Sequence, residues 1–460
     1  MIQRLIISLI HLITNTFFRR IDVVGEEHIP AAGPVIFAGN HPNALMDGWL
    51  LTARCGRWPL HFMANAKLWK YKLLGQLLNA CGAVPVYRRE EHNGEVDNSQ
   101  AFDKLYEVIE GGDCMGVFPE GVSHTESQLS KLKTGTARIA LTVAARGKVK
   151  VTIVPCGLNY IHRHRFRSQV LIEFGEPIVI DEEWLVAFRS DERAAVIKLT
   201  EFLADALKAV TLNAPDWSTL RFVQATRRLY KPATANLAPS AYVELNRRFI
   251  RAYLDTADEP DTVQLRKDVE DYQSRLEVLG LKDYQLRQTI SVSKAFRRLV
   301  ARSISVMILL PVAIPGALLH LPVGWLAAMV GERFSYEEDD IATLKVFATM
   351  ALLPIIYLIV ALIIGKYLGV VWAIIAVIAL TISFSASIWV IEAQATLLVS
   401  MVSILRRTRL RAEIESLHEA REVLVSKVRA MADRYSDPNK PRIFSNKDFA
   451  VSTDTKPNKE

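Results

Sequence analysis

PVIFAGNHPNALMDG (residues 34–48) opens as an apolar run and closes as a polar helix start. The first half reads as a buried strand that ends at Gly39. Asn40 and Pro42 suit a helix start, with His41 near the cap and Pro42 in the first turn. Strand, loop and helix in that order are the repeating unit of an α/β fold. The order also puts His41 at the carboxyl end of a strand, where sheets of this class hold their sites. Asp47 follows six positions later. On an ideal helix six steps rotate by about 600°, so the two residues share no face. They meet only if His41 lies outside the regular helix and folds back over it. Asp47 would then hold the imidazole tautomer, and His41 could take a proton from an alcohol. The alternative is an ordinary helix-start turn with His41 as a spectator.

The flanking sequence repeats the pattern. Runs at 34–39, 59–64, 83–87, 114–118, 151–158 and 169–175 read as buried strands. Helical patterns such as SQAFDKLYEVIEGG and TARIALTVAARG lie between them and close on Gly. Residues 25–182 are therefore expected to form an α/β domain with a mixed, largely parallel sheet flanked by helices. Residues 1–24 read as an amphipathic, membrane-associated helix with Arg4, Arg19 and Arg20 at the headgroups, or as a core-packing helix. Residues 183–302 read as a charged helical accessory region whose role is not legible.

Composition changes sharply at 303–391. The stretch 346–364 and the stretch 370–390 are each long and apolar enough to span a membrane. Lys294, Arg297, Arg298 and Arg302 precede this region, and Arg406, Arg407, Arg409 and Arg411 follow it. The positive-inside rule puts both clusters on the cytoplasmic side, so 346–390 is expected to be a tight hairpin. Pro311, Pro315 and Pro322 break 303–330, which reads as re-entrant or spanning. Residues 392–436 form an amphipathic helix. Its stripe of Leu410, Ile414, Leu417, Leu424, Val428 and Met431, interrupted by Arg421, suits packing on its own domain or a homodimer contact. Residues 437–460 read as a disordered tail.

The chain is basic, with net charge +7 and pI near 9.1. Together with its apolar stretches, this points to anionic lipid or an anionic substrate. No nucleic-acid motif is present. The four cysteines are widely spaced without a Cys-x-x-Cys and read as reduced thiols on the cytosolic side.

Three further blocks carry chemistry. CGAVPVYRR (81–89) delivers Arg88 and Arg89 to a strand end, where a guanidinium suits phosphate or is simply solvated. VFPEGVSHTES (117–127) puts Glu120 and Gly121 at another strand exit. There the carboxylate could accept substrate hydroxyls or orient a basic neighbour, and the glycine could admit substrate closely. Lys131 and Lys133 precede a helix start able to face an anion. IVPCGLNY (153–160) holds Pro155, which suggests an edge strand or a bend. The His-rich IHRHR (161–165) is a poor metal site, because its arginines repel cations, and reads better as a basic strand end facing membrane or phosphate. No metal or cofactor is expected.

In this order the four blocks resemble the four motifs of the PlsC-type glycerolipid acyltransferase superfamily: Asn-His…Asp, Gly…Pro-Val…Arg, Phe-Pro-Glu-Gly and Val-Pro…Gly. The resemblance covers roughly residues 25–180. Five residues, not the usual four, separate His41 from Asp47. That spacing resembles fungal-type glycerol-3-phosphate and dihydroxyacetone-phosphate acyltransferases, which also carry transmembrane segments after the catalytic domain. The resemblance implies transfer of a fatty acyl group from acyl-CoA or acyl carrier protein to glycerol 3-phosphate or 1-acylglycerol 3-phosphate. It implies an integral membrane protein with its catalytic domain on the cytoplasmic face. It gives His41 as general base, Asp47 as its partner and Arg88 as the phosphate grip with Arg89 helping. Asn40, Glu120, Gly121 and Lys133 would contact the acceptor, and Pro155 would lie near the donor. A thioester is already activated, so deprotonating and orienting the alcohol suffices. Other acceptors (an ornithine lipid, a sterol-like alcohol, another lysophospholipid), a thioesterase or lysolipid hydrolase, and a silent scaffold are the competing readings.

Overall fold

The computed structural model describes residues 2–70, 72–87, 98–232, 235, 237–281, 283–286, 292–409, 411–435 and 442–444. They fall into two compact units, one of residues 1–217, 237–247 and 336–343, the other of 218–236, 248–335 and 344–460.

The first unit is built on β1 (Phe18–Val24), β2 (Val35–Gly39), β3 (Leu60–Asn65), β4 (Val84–Val86), β5 (Cys114–Val117), β6 (Thr152–Tyr160), β7 (Ser168–Phe174) and β8 (Ile178–Val179). The sheet order is β1-β7-β6-β2-β5-β3-β4, with β8 on β6. All pairings are parallel except β6 with β7 and with β8. Its helices are α1 (Ile2–Phe17), α2 (Ala44–Arg54), α3 (Lys72–Ala80), α4 (Ser99–Glu110), α5 (Gly135–Ala145), α6 (Glu182–Ser190) and α7 (Glu192–Val210). Every residue of β2 is buried, as a central parallel strand covered on both faces must be. Ile36 and Ala38 share a core with Leu105 and Ile109 of α4, Ile139 and Leu141 of α5 and Leu199 and Leu203 of α7. On the alternate positions, Phe37 meets Phe174 edge-on at 6.0 Å. The mixed, largely parallel sheet expected from the strand–helix alternation is the architecture found.

Two local expectations are corrected. Residues 18–24 leave the N-terminal helix and pair in parallel with β7 at the sheet edge. Arg19 and Arg20 are thus exposed charges on an edge strand, a common guard against edge-to-edge association. Pro155 lies in a central strand, between β2 and β7. Its carbonyl accepts the Gly175 N–H at 2.8 Å, so its missing donor would point to the same side, into the changeover from β7 to β8. No ladder bond is lost there, which is why a proline is tolerated.

The accessory region contributes α8 (Trp217–Tyr230), α9 (Pro239–Thr256), α10 (Pro260–Val278) and α11 (Asp283–Leu286). The first part of α9 belongs to the first unit. Arg247 there donates to both carboxylate oxygens of Glu173 on β7, at 3.1 and 2.6 Å.

The second unit continues through α12 (Val292–Phe334), α13 (Ile341–Leu368), α14 (Val370–Arg409) and α15 (Arg411–Arg434). The segments Ser303–Phe334, Glu338–Leu368 and Val370–Glu392 are long and apolar enough to cross a membrane. The prolines do not break α12. Pro315 removes a donor from the helix ladder, and the hydroxyl of Ser383 on α14 fills the break beside it. It accepts the Gly316 N–H at 2.6 Å and donates to the Val312 carbonyl. Ser387 donates to the Ala313 carbonyl at 2.7 Å. A side chain at Gly316 would sit 2.5 Å from the Ser383 backbone, so the helices touch only because this residue is glycine. α13 and α14 are joined through Gly369 alone, and α14 packs antiparallel on α12, where the small residues lie.

In α15 the apolar stripe faces inward. Leu417, Leu424 and Val428 are buried, and the helix packs on α10. Leu410 lies outside the described residues. Arg421, which interrupts the stripe, is itself buried and donates to Asp283 at 3.0 Å, a carboxylate that also accepts the Tyr272 hydroxyl at 3.1 Å.

Candidate active site

The chain leaves β2 at Gly39 on the carboxyl side of the sheet. Asn40 is held by the neighbouring strand: its Oδ1 accepts the Leu158 N–H at 2.7 Å and its Nδ2 donates to the Leu158 carbonyl at 3.2 Å. Both ends of this amide are committed to protein backbone, so Asn40 fixes the loop on which His41 sits. The His41 N–H donates to Glu120 Oε1 at 2.9 Å, and its carbonyl accepts the His124 N–H at 3.1 Å. The imidazole stacks on Phe118, with centroids 4.0 Å apart and rings within 6° of parallel.

His41 does fold back over the helix start. Its Nδ1 lies 2.9 Å from Asp47 Oδ2. The same oxygen accepts the Asn43 N–H at 2.7 Å, and Oδ1 accepts the Tyr160 hydroxyl at 2.5 Å. The turn that allows this needs Ala44 at φ 43°, a left-handed conformation disfavoured for a residue with a Cβ. Asp47 is fully buried, and desolvation pushes its carboxyl above the usual range against the pull of His41, Tyr160 and the Asn43 N–H. Burial and the Asp47 charge drive the Tyr160 hydroxyl well up, so it stays a donor. The Nδ1 contact leaves the His41 Nε2 as the nitrogen available to a substrate.

Glu120 is buried and accepts the Ser130 N–H at 2.7 Å as well as the His41 N–H and the His124 ring. It therefore orients basic and backbone neighbours, one of the two roles its position suggested. Gly121 has φ 79°, and an added Cβ would lie 2.8 Å from the Lys133 side chain. The Lys133 side chain thus lies against Gly121. Arg88 and Arg89 lie outside the described residues. Pro155 sits in β6 two residues before Gly157, within the sheet.

Tyr160, His124 and Phe118 were missed as site residues by sequence reasoning. Parallel pairing of β6 with β2 brings Tyr160 to the same sheet end as His41, a signal available once both strands are placed. His124 stands four residues after Glu120, a readable spacing.

The Glu120 contact raises the His124 pKa above its ordinary 6.5, chiefly through the hydrogen bond and against desolvation. A histidine whose folded pKa is raised adds stability that is full below the unfolded value and fades as pH rises through the folded one. The unfolding-midpoint difference between wild type and His124→Asn is therefore expected to be largest near about pH 5 and to shrink toward about pH 9. A pH-independent difference would show that His124 is held neutral.

Residues 20–159, which hold His41, Asp47, Phe118, Glu120 and His124, match the Acyltransferase family. Residues 222–439 match the Glycerol-3-phosphate acyltransferase 2 C-terminal domain family. The chain thus carries a PlsC-type acyltransferase domain followed by a C-terminal domain of the glycerol-3-phosphate acyltransferase 2 type. It is 36 % identical over 279 residues to glycerol-3-phosphate O-acyltransferase 2 of Saccharomyces cerevisiae, covering 57 % of this chain and 38 % of that protein. It is 33 % identical over 294 residues to glycerol-3-phosphate O-acyltransferase 1 of the same yeast, covering 60 % and 39 %. A 1-acyl-sn-glycerol-3-phosphate acyltransferase of Borreliella burgdorferi matches at 26 % over 193 residues, covering 42 % of this chain and 68 % of that protein. The chain spans less than half the length of the two yeast relatives.

Proposed function

We propose that this chain transfers a fatty acyl group from a thioester donor, acyl-CoA or acyl carrier protein, to the hydroxyl of glycerol 3-phosphate. 1-Acylglycerol 3-phosphate is the competing acceptor. The reading is carried by one observation: His41 is clamped by Asp47 through Nδ1 and backed by Phe118, with Nε2 left to act. In that tautomer Nδ1–H donates to Asp47 and Nε2 takes the proton of the acceptor hydroxyl. The alkoxide attacks the thioester carbonyl, the new ester C–O bond forms, and the C–S bond breaks. The imidazolium returns its proton to the departing thiolate, so an ester and a thiol result. Asp47 and Tyr160 act by holding the ring and balancing its positive charge. Arg88, with Arg89, is the motif position for the acceptor phosphate. Basic clusters flanking the apolar helices support a catalytic domain on the cytoplasmic face.

Detergent-purified protein with labelled palmitoyl-CoA and each acceptor in parallel tests this. Label should enter lysophosphatidate from glycerol 3-phosphate faster than phosphatidate from the 1-acyl form. The opposite preference would reassign the acceptor. Release of free fatty acid alone would make the protein a hydrolase.

A further inference from the structure

Beyond the end of β6 the chain reads Ile161-His162-Arg163-His164-Arg165. The mechanism above uses none of these residues. His164 and Arg165 are exposed, whereas Arg163 is drawn in. Its carbonyl accepts Asn43 Nδ2 at 3.1 Å, tying it to the residue that caps α2. Its guanidinium lies over the Trp217 ring, 5.6 Å from the centroid. Three residues earlier, Tyr160 grips Asp47. Among the described residues, no carboxylate makes an ion pair with this guanidinium.

The segment 336–343, which joins α12 to α13, belongs to the first unit, and its residues 338–340 pack on α2. Asp339 is 1 % exposed, and neither of its carboxylate oxygens has a hydrogen-bond partner. Arg163 lies in the fields of Asp47, Tyr160, Asp339 and Glu338, and His124 in turn feels the Arg163 charge. A guanidinium without a bonded anion and a buried carboxylate without a donor, on two segments that both touch α2 or its cap, are an incomplete set. Buried charges are ordinarily paired and hydrogen-bonded. The planar fork of an arginine matches the oxygens of a phosphate.

We propose that Arg163 binds the phosphate of the acyl acceptor, and that Glu338 and Asp339 weaken that binding by competing for the same guanidinium. The first part rests on the acyl-transfer reading. The acidic pair offsets the guanidinium charge when the site is empty and favours release of the phosphorylated product.

The test is calorimetric titration of the full chain in detergent with glycerol 3-phosphate, without acyl donor, followed by steady-state turnover. Arg163→Gln should weaken binding by about 10- to 100-fold, the worth of a charge-assisted hydrogen-bonded pair. Arg163→Lys, which keeps the charge and loses the fork, should fall between. The double variant Glu338→Gln/Asp339→Asn should tighten binding several-fold. In turnover the acceptor KM should follow these changes while the acyl-CoA KM stays put. Wild-type affinity in Arg163→Gln with an unaltered unfolding midpoint overturns the assignment. Should that variant fail to fold, wild-type affinity in Arg163→Lys overturns it instead. Unchanged affinity in the double variant removes the competing role. A wild type that binds glycerol 3-phosphate but transfers no acyl group would sink the proposed activity and leave Arg163 standing. Turnover with an acceptor KM indifferent to Arg163 would do the reverse.

Discussion

His41→Ala is expected to lower kcat by about 10²- to 10⁴-fold, the usual worth of a positioned general base, with little change in the KM for acyl-CoA. The variant should remain folded, because the ring is held by one stack and one hydrogen bond and its removal leaves no buried charge beyond Asp47. Asp47→Asn should cost a large part of the same factor. It removes the charge that balances the imidazolium and lets the ring take the other tautomer. Tyr160→Phe should cost less, since Asp47 keeps its bonds to His41 and to the Asn43 N–H. Single-turnover measurement of acyl transfer checks the order of the three. An His41→Ala enzyme within about tenfold of wild type would remove His41 from the chemistry.

The second large effect is on stability. Arg421 and Asp283 are buried to 5 % and 3 % side-chain exposure. Arg421→Ala takes the guanidinium away from the buried Asp283 carboxylate, and is expected to destabilise the second unit by about 3–5 kcal/mol. Replacing both partners, as Arg421→Met with Asp283→Leu, should recover most of that loss, because a buried pair is costly mainly when half of it remains. Unfolding of the single and the double variant beside wild type, followed by tryptophan fluorescence, gives the comparison. A single-variant loss below about 1 kcal/mol would mean that water reaches the pair.

The legible parts of this molecule are those whose cause is local. The strand at 35–39 and the turn through His41 are encoded within fifteen consecutive residues, and the resemblance of the four blocks did the rest. Tyr160 reaches Asp47 from 113 positions away. Only the strand order, which a single sequence does not reveal, makes them neighbours. Arg421 looked like a flaw in an apolar stripe because its carboxylate lies 138 positions upstream. The strand at 18–24 was hidden by its own arginines, which suit a headgroup and an edge strand equally well. The integrity of α12 was illegible for the same reason as Tyr160: three prolines forecast a break, and the hydroxyl that repairs it sits 67 residues further on.

That repair has a mechanical meaning. A serine wedged into the proline gap behaves as a pin through two rods. Sliding α14 along α12 by one turn, about 5.4 Å, would break the bonds of Ser383 to the Gly316 N–H and the Val312 carbonyl and that of Ser387 to the Ala313 carbonyl, and would drive Gly316 off the small residue it packs on. Large apolar helices in lipid have little else to choose one alignment over another. The two helices are therefore keyed to each other, and any rearrangement of the apolar region must carry them as a single piece.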